Sequence, residues 1–182
     1  MEVSVKVREI LSSKQKIDKK EAGYRTMNLT VMRLPDAIEI VSWKYPEPYS
    51  FYNFEDTQEL MDELLDGTYF SVRDSQHQLI GFFCFGKNAQ VPAGFAAGLY
   101  VGENVCDMGL GLKPELTGRG LGAAFMKRGM EFAVKHYAPR QLRLSVAAFN
   151  KRAIRLYEKM GFQEVGSFLR KETVFWVMTV EL

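Results

Sequence analysis

The sequence is poor in the residues that bind metals or form cross-links. It contains two cysteines and two histidines in 182 residues. Cys84 and Cys106 each lie in an apolar run, so we expect buried thiols rather than a disulfide or a pair of metal ligands. This small supply of ligands gives no support for a zinc site. The sequence therefore favours chemistry that needs no metal.

The chain also lacks a strong charge imbalance and long apolar runs. Its net charge is +2, whereas nucleic-acid binding favours a strongly basic face. No apolar run approaches the roughly 20 residues that span a bilayer. Charged residues interrupt the first part of the chain, where a signal peptide would need an apolar core. We therefore expect no nucleic-acid partner, no membrane association and a cytoplasmic location.

The composition predicts one domain with a full core. The chain is 47% hydrophobic and 13% aromatic, which is enough apolar material for a domain of this length. Residues 1–27 are rich in lysine, and we expect them to form an N-terminal appendage with one helix over Val3 to Leu11. Residues 28–182 are expected to form the domain itself.

Segments in which apolar residues have the spacing of a strand alternate with segments in which they have the spacing of a helix, which predicts an α+β fold with a mixed sheet. Asp56 and Glu59 form a pattern typical of a helix N-terminal capping box. Residues 74–77 give a hairpin turn between two strands, and residues 86–98 are expected to be a loop. The strands are predicted at 29–34, 68–73, 78–85, 108–112 with a start near Val105, 141–147, 162–169 and 173–180. The helices are predicted at 35–43, 56–65, 121–137 and 151–160.

A glycine-rich turn is the most informative local pattern. Gly118, Gly120 and Gly122 alternate between a predicted strand and an amphipathic helix that starts at Leu121. Helix N-termini leave backbone N–H groups unpaired and carry partial positive charge. Such a turn favours an anion such as a pyrophosphate. The alternative is a tight left-handed turn that binds no ligand.

Two common phosphate motifs do not fit this turn. The ATP-binding P-loop needs a lysine and then a serine or threonine after its last glycine, but Ala123 and Ala124 follow Gly122. The glycine spacing also differs from the dinucleotide fingerprint, and no acidic residue stands at a convincing ribose-binding position.

A second motif combines a buried strand that starts at Leu142 with a helix opened by an asparagine. Its defining residues are Asn150, Ala153, Leu156, Tyr157, Gly161 and Phe162. With the glycine-rich turn, this motif resembles the GNAT superfamily of N-acetyltransferases. The resemblance runs from Leu29 to the C-terminus and is weakest over the first half. It implies an α/β/α sandwich whose mixed, mostly antiparallel sheet is splayed at its central strands.

The resemblance implies acetyl-CoA as cosubstrate. Its pyrophosphate is expected on the backbone of residues 117–122, with charge added by Arg119 and Lys113. Thr117 stands where the family has glutamine or arginine, and its hydroxyl is expected to hydrogen-bond a phosphate without supplying charge. The pantetheine arm is expected to pair with backbone groups that splayed strands leave free. The cofactor-binding residues implied are Leu110, Leu112, Thr117, Gly118, Arg119, Gly120, Leu121, Gly122, Asn150, Ala153 and Tyr157.

The resemblance also implies direct attack of a primary amine on the thioester. Tyr157 would act as general acid towards the leaving thiolate, although core packing alone also accounts for a tyrosine on this helix face. Related ribosomal-protein N-terminal acetyltransferases have a glutamate where this chain has Ser145. The candidate bases are therefore Glu103 and Asp107, or a water chain with a backbone carbonyl.

The acceptor amine belongs to a small molecule, a peptide or a protein. The candidate acceptor residues around the proline-rich loop are Trp43, Tyr45, Tyr49 and Tyr52. This aromatic group either binds a cationic amine by cation–π contact or forms a hydrophobic cluster under the loop. Exposed strand edges would permit a homodimer. A non-catalytic acyl-CoA-binding or regulatory module of the same fold is the alternative function, supported by Thr117 and the missing glutamate.

Overall fold

In the computed structural model, the described part of the chain comprises residues 7, 9–12 and 27–182. Val7 and residues 9–12 are helical, and residues 1–6, 8 and 13–26 of the predicted appendage lie outside the described residues. The strands are β1 Asn28–Val31, β2 Tyr69–Arg73, β3 Leu79–Phe85, β4 Val105–Leu112, β5 Gln141–Ala147, β6 Gln163–Arg170 and β7 Thr173–Glu181. The helices of residues 27–182 are α1 Leu34–Val41, α2 Gln58–Leu64, α3 Pro92–Ala96, α4 Gly122–Tyr137 and α5 Lys151–Lys159. Short 3-10 helices occupy Tyr49–Tyr52, Gly86–Ala89 and Pro114–Leu116.

The predicted order of strands and helices is confirmed, with two local corrections. The cap of α2 is Thr57 rather than Asp56, because the Thr57 hydroxyl accepts a hydrogen bond of 3.2 Å from the Leu60 N–H. Residues 86–98 are not a plain loop, since they contain a 3-10 helix and α3. Pro92 opens α3, at a position where a helix needs no donor from the backbone nitrogen.

The described residues form two compact units. Residues 27–84 and 110–125 belong to one, called the β1–β3 unit below, and residues 7, 9–12, 85–109 and 126–182 belong to the other, the β5–β7 unit. Strand β4 contributes residues 105–109 to the β5–β7 unit and residues 110–112 to the β1–β3 unit.

The β1–β3 unit is an antiparallel meander. Strand β2 pairs with β1 on one side and with β3 on the other, and the hairpin predicted at residues 74–77 joins β2 to β3. Strand β3 is buried along its whole length. A Cβ atom at Gly111 would lie 2.6 Å from Cζ of Phe82. The ring of Phe82 therefore occupies the space that a side chain at residue 111 would need.

The β5–β7 unit contains the parallel pairing of the fold. Strands β4 and β5 pair in parallel over three residue pairs that end at Asp107 and Arg143. Strand β5 continues to Ala147 in an antiparallel ladder with β7, and β7 pairs with β6. The fold is thus α+β with mixed, mostly antiparallel pairing, as predicted.

A contact between two buried rings positions the first turn of α4. Phe125 in the first turn of α4 stacks on Phe83 of β3 with ring centroids 4.6 Å apart. Cys84 and Cys106 are buried, as predicted, and they do not form a disulfide with each other. None of the described helices is long and apolar enough to cross a membrane.

Replacing Gly111 by alanine tests the packing of Phe82 on β4. We expect the Gly111→Ala variant to lose about 1–3 kcal/mol of unfolding free energy, because the added methyl group overlaps the Phe82 ring. In the Gly111→Ala/Phe82→Leu double variant the smaller side chain makes room, so its loss should be less than the sum of the two single losses. Urea unfolding of the three variants measures this, and additive losses would contradict the proposed overlap.

Candidate active site

The predicted site residues fall into two groups, one in each compact unit. The glycine-rich turn, the end of β4 and the aromatic loop after α1 belong to the β1–β3 unit. The start of β4, strand β5 and helix α5 with Tyr157 belong to the β5–β7 unit.

The glycine-rich turn has the backbone geometry that an anion site needs. Gly118 and Gly120 have φ angles of +74° and +86°, in the left-handed region that favours glycine. A Cβ atom at Gly120 would find no atom within 4 Å, so the turn faces open space there. The first turn of α4 closes with a 2.9 Å bond from the Phe125 N–H to the Leu121 carbonyl. The amide groups just before it lie ahead of the helix's own hydrogen-bond ladder.

Two of the side chains that were expected to bind phosphate already have partners in the structure. The Thr117 hydroxyl donates to the Pro114 carbonyl at 2.8 Å, so its hydrogen serves the turn rather than a phosphate. The Lys113 ammonium pairs with the Glu39 carboxylate at 2.8 Å. Arg119 is exposed. Backbone amides and Arg119 are thus the groups that fit a pyrophosphate here.

The end of β4 presents one backbone edge to β3 and the other away from it. The Lys113 N–H donates to the Ile80 carbonyl of β3 at 2.8 Å. Because backbone groups of successive strand residues point to opposite edges, the Leu112 carbonyl faces away from β3. It accepts a 2.8 Å hydrogen bond from the Tyr45 hydroxyl.

Helix α5 begins as the motif predicts. The Asn150 side-chain oxygen accepts from the Ala153 N–H at 3.2 Å, which makes Asn150 the N-cap. Tyr157 is 7% exposed, and its ring lies 6.1 Å from that of Phe162. The Phe162 N–H returns to the Tyr157 carbonyl at 3.0 Å just after Gly161, whose φ is +92°. The motif residues thus form one capped helix with a glycine stop.

Asp107 occupies a buried ion pair, which argues against its predicted role as general base. One carboxylate oxygen accepts from Nε of Arg143 at 2.6 Å and the other from Nη2 at 2.9 Å. The second oxygen also accepts from the Gln90 amide at 2.8 Å. Asp107 is 4% exposed, so this carboxylate serves a structural pair and is not open to a substrate amine. Glu103 is exposed in the bend before β4 and stays a prediction.

Arg143 connects the ion pair to the segment between β3 and β4. Its Nη1 donates to the Val101 carbonyl at 2.7 Å, and its guanidinium carbon lies 5.0 Å from the centre of the Tyr100 ring. The Tyr100 hydroxyl is hydrogen-bonded to Ser145 at 2.6 Å and accepts from the Val91 N–H at 3.0 Å. Strand β5 thereby contacts residues 99–101 through charge, ring and hydroxyl groups.

Sequence reasoning missed this network because the alternating pattern hides it. Arg143 and Asp107 each lie between apolar residues of an alternating strand, at a position where the pattern predicts an exposed side chain. The structure buries both, and a buried charge needs a partner. Gln90 and Tyr100 carry no pattern that marks them.

Burial raises the pKa of the Cys106 thiol to about 11, and the neighbouring charge of Asp107 adds to this effect. The thiol therefore stays protonated near neutral pH and is a poor nucleophile. This environment supports the prediction that no acyl group passes through this cysteine.

The four candidate acceptor residues have unequal exposure. Trp43 is 6% exposed and packs on Phe82 with ring centroids 6.4 Å apart, so it is part of the core rather than an exposed wall of an acceptor pocket. Tyr45 is half-buried at the β4 edge. Tyr49 and Tyr52 lie half-buried on the 3-10 helix of the same loop. In residues 7, 9–12 and 27–182, no group of three or more histidine, cysteine, aspartate or glutamate side chains could hold a metal ion.

Comparison with known proteins gives a family match and distant structural neighbours. The model of the acetyltransferase (GNAT) family matches residues 34–162. A thialysine N-epsilon-acetyltransferase from Bos taurus is 35% identical over 71 residues, which are 39% of this chain and 41% of that protein. The chain thus matches about two fifths of the length of this curated relative.

The structural neighbours show the fold. A chimera of spermidine N-acetyltransferase SpeG from Vibrio cholerae and hSSAT has a TM-score of 0.63 at 19% identity, covering 85% of this chain and 94% of that one. An acetyltransferase of the GNAT family from Bacillus anthracis has a TM-score of 0.64 at 15% identity, covering 85% of this chain and 94% of that one.

Breaking the buried ion pair should destabilise the protein more than breaking an exposed one. We expect Arg143→Met to lose about 3–5 kcal/mol of unfolding free energy, because Asp107 would remain buried without its guanidinium. The Asp107→Leu/Arg143→Met double variant should lose less than Arg143→Met alone. Arg128→Met, which removes an exposed pair with Glu131, is the control and should cost less than about 1 kcal/mol. Urea unfolding measures all three, and equal losses for Arg143→Met and Arg128→Met would contradict this role.

Proposed function

Since the chain belongs to the acetyltransferase (GNAT) family, we propose that it transfers the acetyl group of acetyl-CoA to a primary amine. The observation that carries the proposal is the turn at Gly118–Gly122. Gly118 and Gly120 are left-handed, a Cβ atom at Gly120 would find no atom within 4 Å, and the amides of the turn lie ahead of the hydrogen-bond ladder of α4. This is the arrangement that binds a phosphate without a lysine or a metal.

The residues present fit acetyl-CoA. Arg119 and the amides of residues 118–122 are suited to the pyrophosphate. The backbone edge of Leu110 and Leu112 that faces away from β3 is suited to the amides of the pantetheine arm, since an extended amide-containing chain pairs with a strand edge. Asn150, which caps α5, is assigned to the same arm. When bound, acetyl-CoA supplies an acetyl thioester with a good leaving group.

We assign the leaving-group proton to Tyr157. A neutral amine nitrogen attacks the thioester carbonyl carbon, the C–N bond forms, and the C–S bond breaks. The Tyr157 hydroxyl then donates its proton to the departing thiolate. The attacking nitrogen gives up a proton to Glu103 or to water, and the Tyr157 phenolate takes up a proton from water, so that charge and protons balance over the cycle. No step passes through Cys84 or Cys106.

The acceptor is proposed to be a small-molecule amine. The relatives named above act on thialysine and spermidine by their names, and both are flexible amines that are cationic at neutral pH. Tyr49 and Tyr52 are the half-buried rings of the loop that are suited to attract such a cation. A peptide or protein amine is the other acceptor class, and an amine screen by thiol release separates the two.

Binding of acetyl-CoA tests the glycine-rich turn without any assumption about the acceptor. We expect a micromolar dissociation constant, about 8 kcal/mol of binding free energy. Gly120→Glu should abolish this binding because it adds a carboxylate where the phosphates are expected. Isothermal titration calorimetry measures both.

Gly67→Glu is the matched control, because Gly67 also has a left-handed φ, +94°, and open space around it. This variant should bind acetyl-CoA like the wild type. Loss of binding in both variants would mean that backbone strain, not the site, is responsible. A folded wild type that does not bind acetyl-CoA would overturn the proposed function, whereas binding without turnover on any amine would favour the non-catalytic module.

Tyr157→Phe tests the general acid. We expect turnover to fall about 100-fold, the lower range for loss of a general acid, while the dissociation constant of acetyl-CoA stays within about twofold, a change of ~0.4 kcal/mol. Tyr137→Phe, which removes a hydroxyl from an exposed ring at the end of α4, is the control and should leave both unchanged. Thiol release with spermidine and thialysine as trial acceptors measures turnover. Wild-type turnover in Tyr157→Phe would remove this assignment.

A further inference from the structure

The backbone edge proposed for the pantetheine arm is already in use by a side chain. The Leu112 carbonyl, which points away from β3, accepts its 2.8 Å hydrogen bond from the Tyr45 hydroxyl. This carbonyl belongs to a strand, yet its partner is a phenol from a loop 67 residues earlier in the chain. A ligand amide and the phenol cannot both take the same position on this carbonyl.

Tyr45 is held in place by its own loop. Its backbone N–H donates to the side-chain oxygen of Asn53 at 2.7 Å, and the Asn53 N–H donates to the Ser50 carbonyl at 2.9 Å. The Tyr49 N–H closes a turn on the Pro46 carbonyl at 2.8 Å. Residues 45–53 are therefore one hydrogen-bonded loop, and it reaches β4 through the phenol of Tyr45.

The Tyr45 hydroxyl stays protonated and can therefore donate a hydrogen bond. Burial raises the pKa of Tyr45, and the charge of Glu115 raises it further. Both effects keep the hydroxyl protonated, so that it can donate to a carbonyl throughout the physiological pH range. The hydrogen bond to Leu112 does not depend on a titration.

Trp43, two residues before this loop, provides an independent observation. Its indole nitrogen is buried and has no hydrogen-bond acceptor among the described residues. A buried donor without a partner is rare and costs free energy. The packing beside the loop therefore leaves a polar group unsatisfied in the present conformation.

We propose that the Tyr45 hydroxyl competes with the cosubstrate for the Leu112 carbonyl, so that acetyl-CoA binding displaces Tyr45 and repositions residues 45–53. This inference rests on the proposed function, because it requires acetyl-CoA to pair with the backbone edge of β4 that faces away from β3. Tyr45 is then a positioning residue. Through it, binding of acetyl-CoA at β4 changes the position of the loop that carries Tyr49 and Tyr52. The acceptor residues reach their final position only after acetyl-CoA has bound, which predicts an ordered sequence of binding.

Tyr45→Phe removes the competing hydroxyl and keeps the ring. We expect acetyl-CoA to bind about three- to tenfold more tightly to this variant than to the wild type, the range that follows from the net free energy of one hydrogen bond. Asn53→Ala loosens the same loop without altering the phenol and should also tighten binding. Tyr137→Phe, which removes a hydroxyl outside this loop, should bind like the wild type. Calorimetry gives the dissociation constants, and circular dichroism confirms that each variant is folded.

Amide hydrogen exchange of residues 44–53 provides a second readout that does not depend on activity. In the wild type, acetyl-CoA should accelerate exchange in this segment, because the phenol leaves β4. In Tyr45→Phe, exchange should already be fast without ligand and change little on binding. Protection of the wild-type segment by acetyl-CoA would overturn the proposal, as would unchanged or weaker acetyl-CoA binding by Tyr45→Phe.

The outcomes separate this inference from the function on which it rests. Equal binding of acetyl-CoA to folded wild type and Tyr45→Phe overturns the competition alone and leaves the transferase proposal intact. Absence of binding in both, with folded proteins, overturns the cosubstrate assignment and the competition together. Tighter binding by Tyr45→Phe with faster exchange in the liganded wild type supports both.

Discussion

A charge that is removed from water has to be paired, and in this chain that requirement falls on Arg143 and Asp107. Each lies on a buried strand, and each would be costly without the other. Their pairing joins the start of β4 to β5 and marks the last residue pair of the parallel ladder. The remaining donors of Arg143 bind carbonyls of the segment before β4. One ion pair thus lies at the end of the parallel ladder and also contacts the connection that precedes β4.

Strand β4 has a different role in each of its halves. In its first half the contacts are made by a side chain, because the Asp107 carboxylate binds Arg143 and Gln90. In its second half the contact is made by the backbone, because Gly111 has no side chain and the Leu112 carbonyl, which faces away from β3, accepts a hydrogen bond from Tyr45. Phe82 packs where a side chain at Gly111 would be, so the glycine there serves the core of the β1–β3 unit. The backbone edge that faces away from β3 is the one proposed for an amide ligand, and the Tyr45 hydroxyl is hydrogen-bonded to its Leu112 carbonyl.

The sequence predicted what local chemistry controls. Asn150 caps its helix, Gly161 ends it, and the hairpin at residues 74–77 joins two strands, because each feature depends on a few neighbouring residues. The predicted cap at Asp56 was wrong by one residue, since two adjacent polar residues both fit a helix start and the structure uses Thr57. The helix α3 escaped notice because five residues rich in alanine and glycine give no clear periodicity.

Composition and motif spacing by themselves determined the α+β class, the order of strands and helices, and the glycine-rich turn with its family resemblance. Only the tertiary structure decided that Asp107 is held in an ion pair rather than free to act as a base. Only it decided that Trp43 is a core residue and that Thr117 and Lys113 already have partners. Local patterns determine backbone conformation because the interacting groups are a few residues apart. The availability of a side chain depends on partners from distant positions, such as Leu112 for Tyr45 or Arg143 for Asp107, and no local pattern specifies those partners.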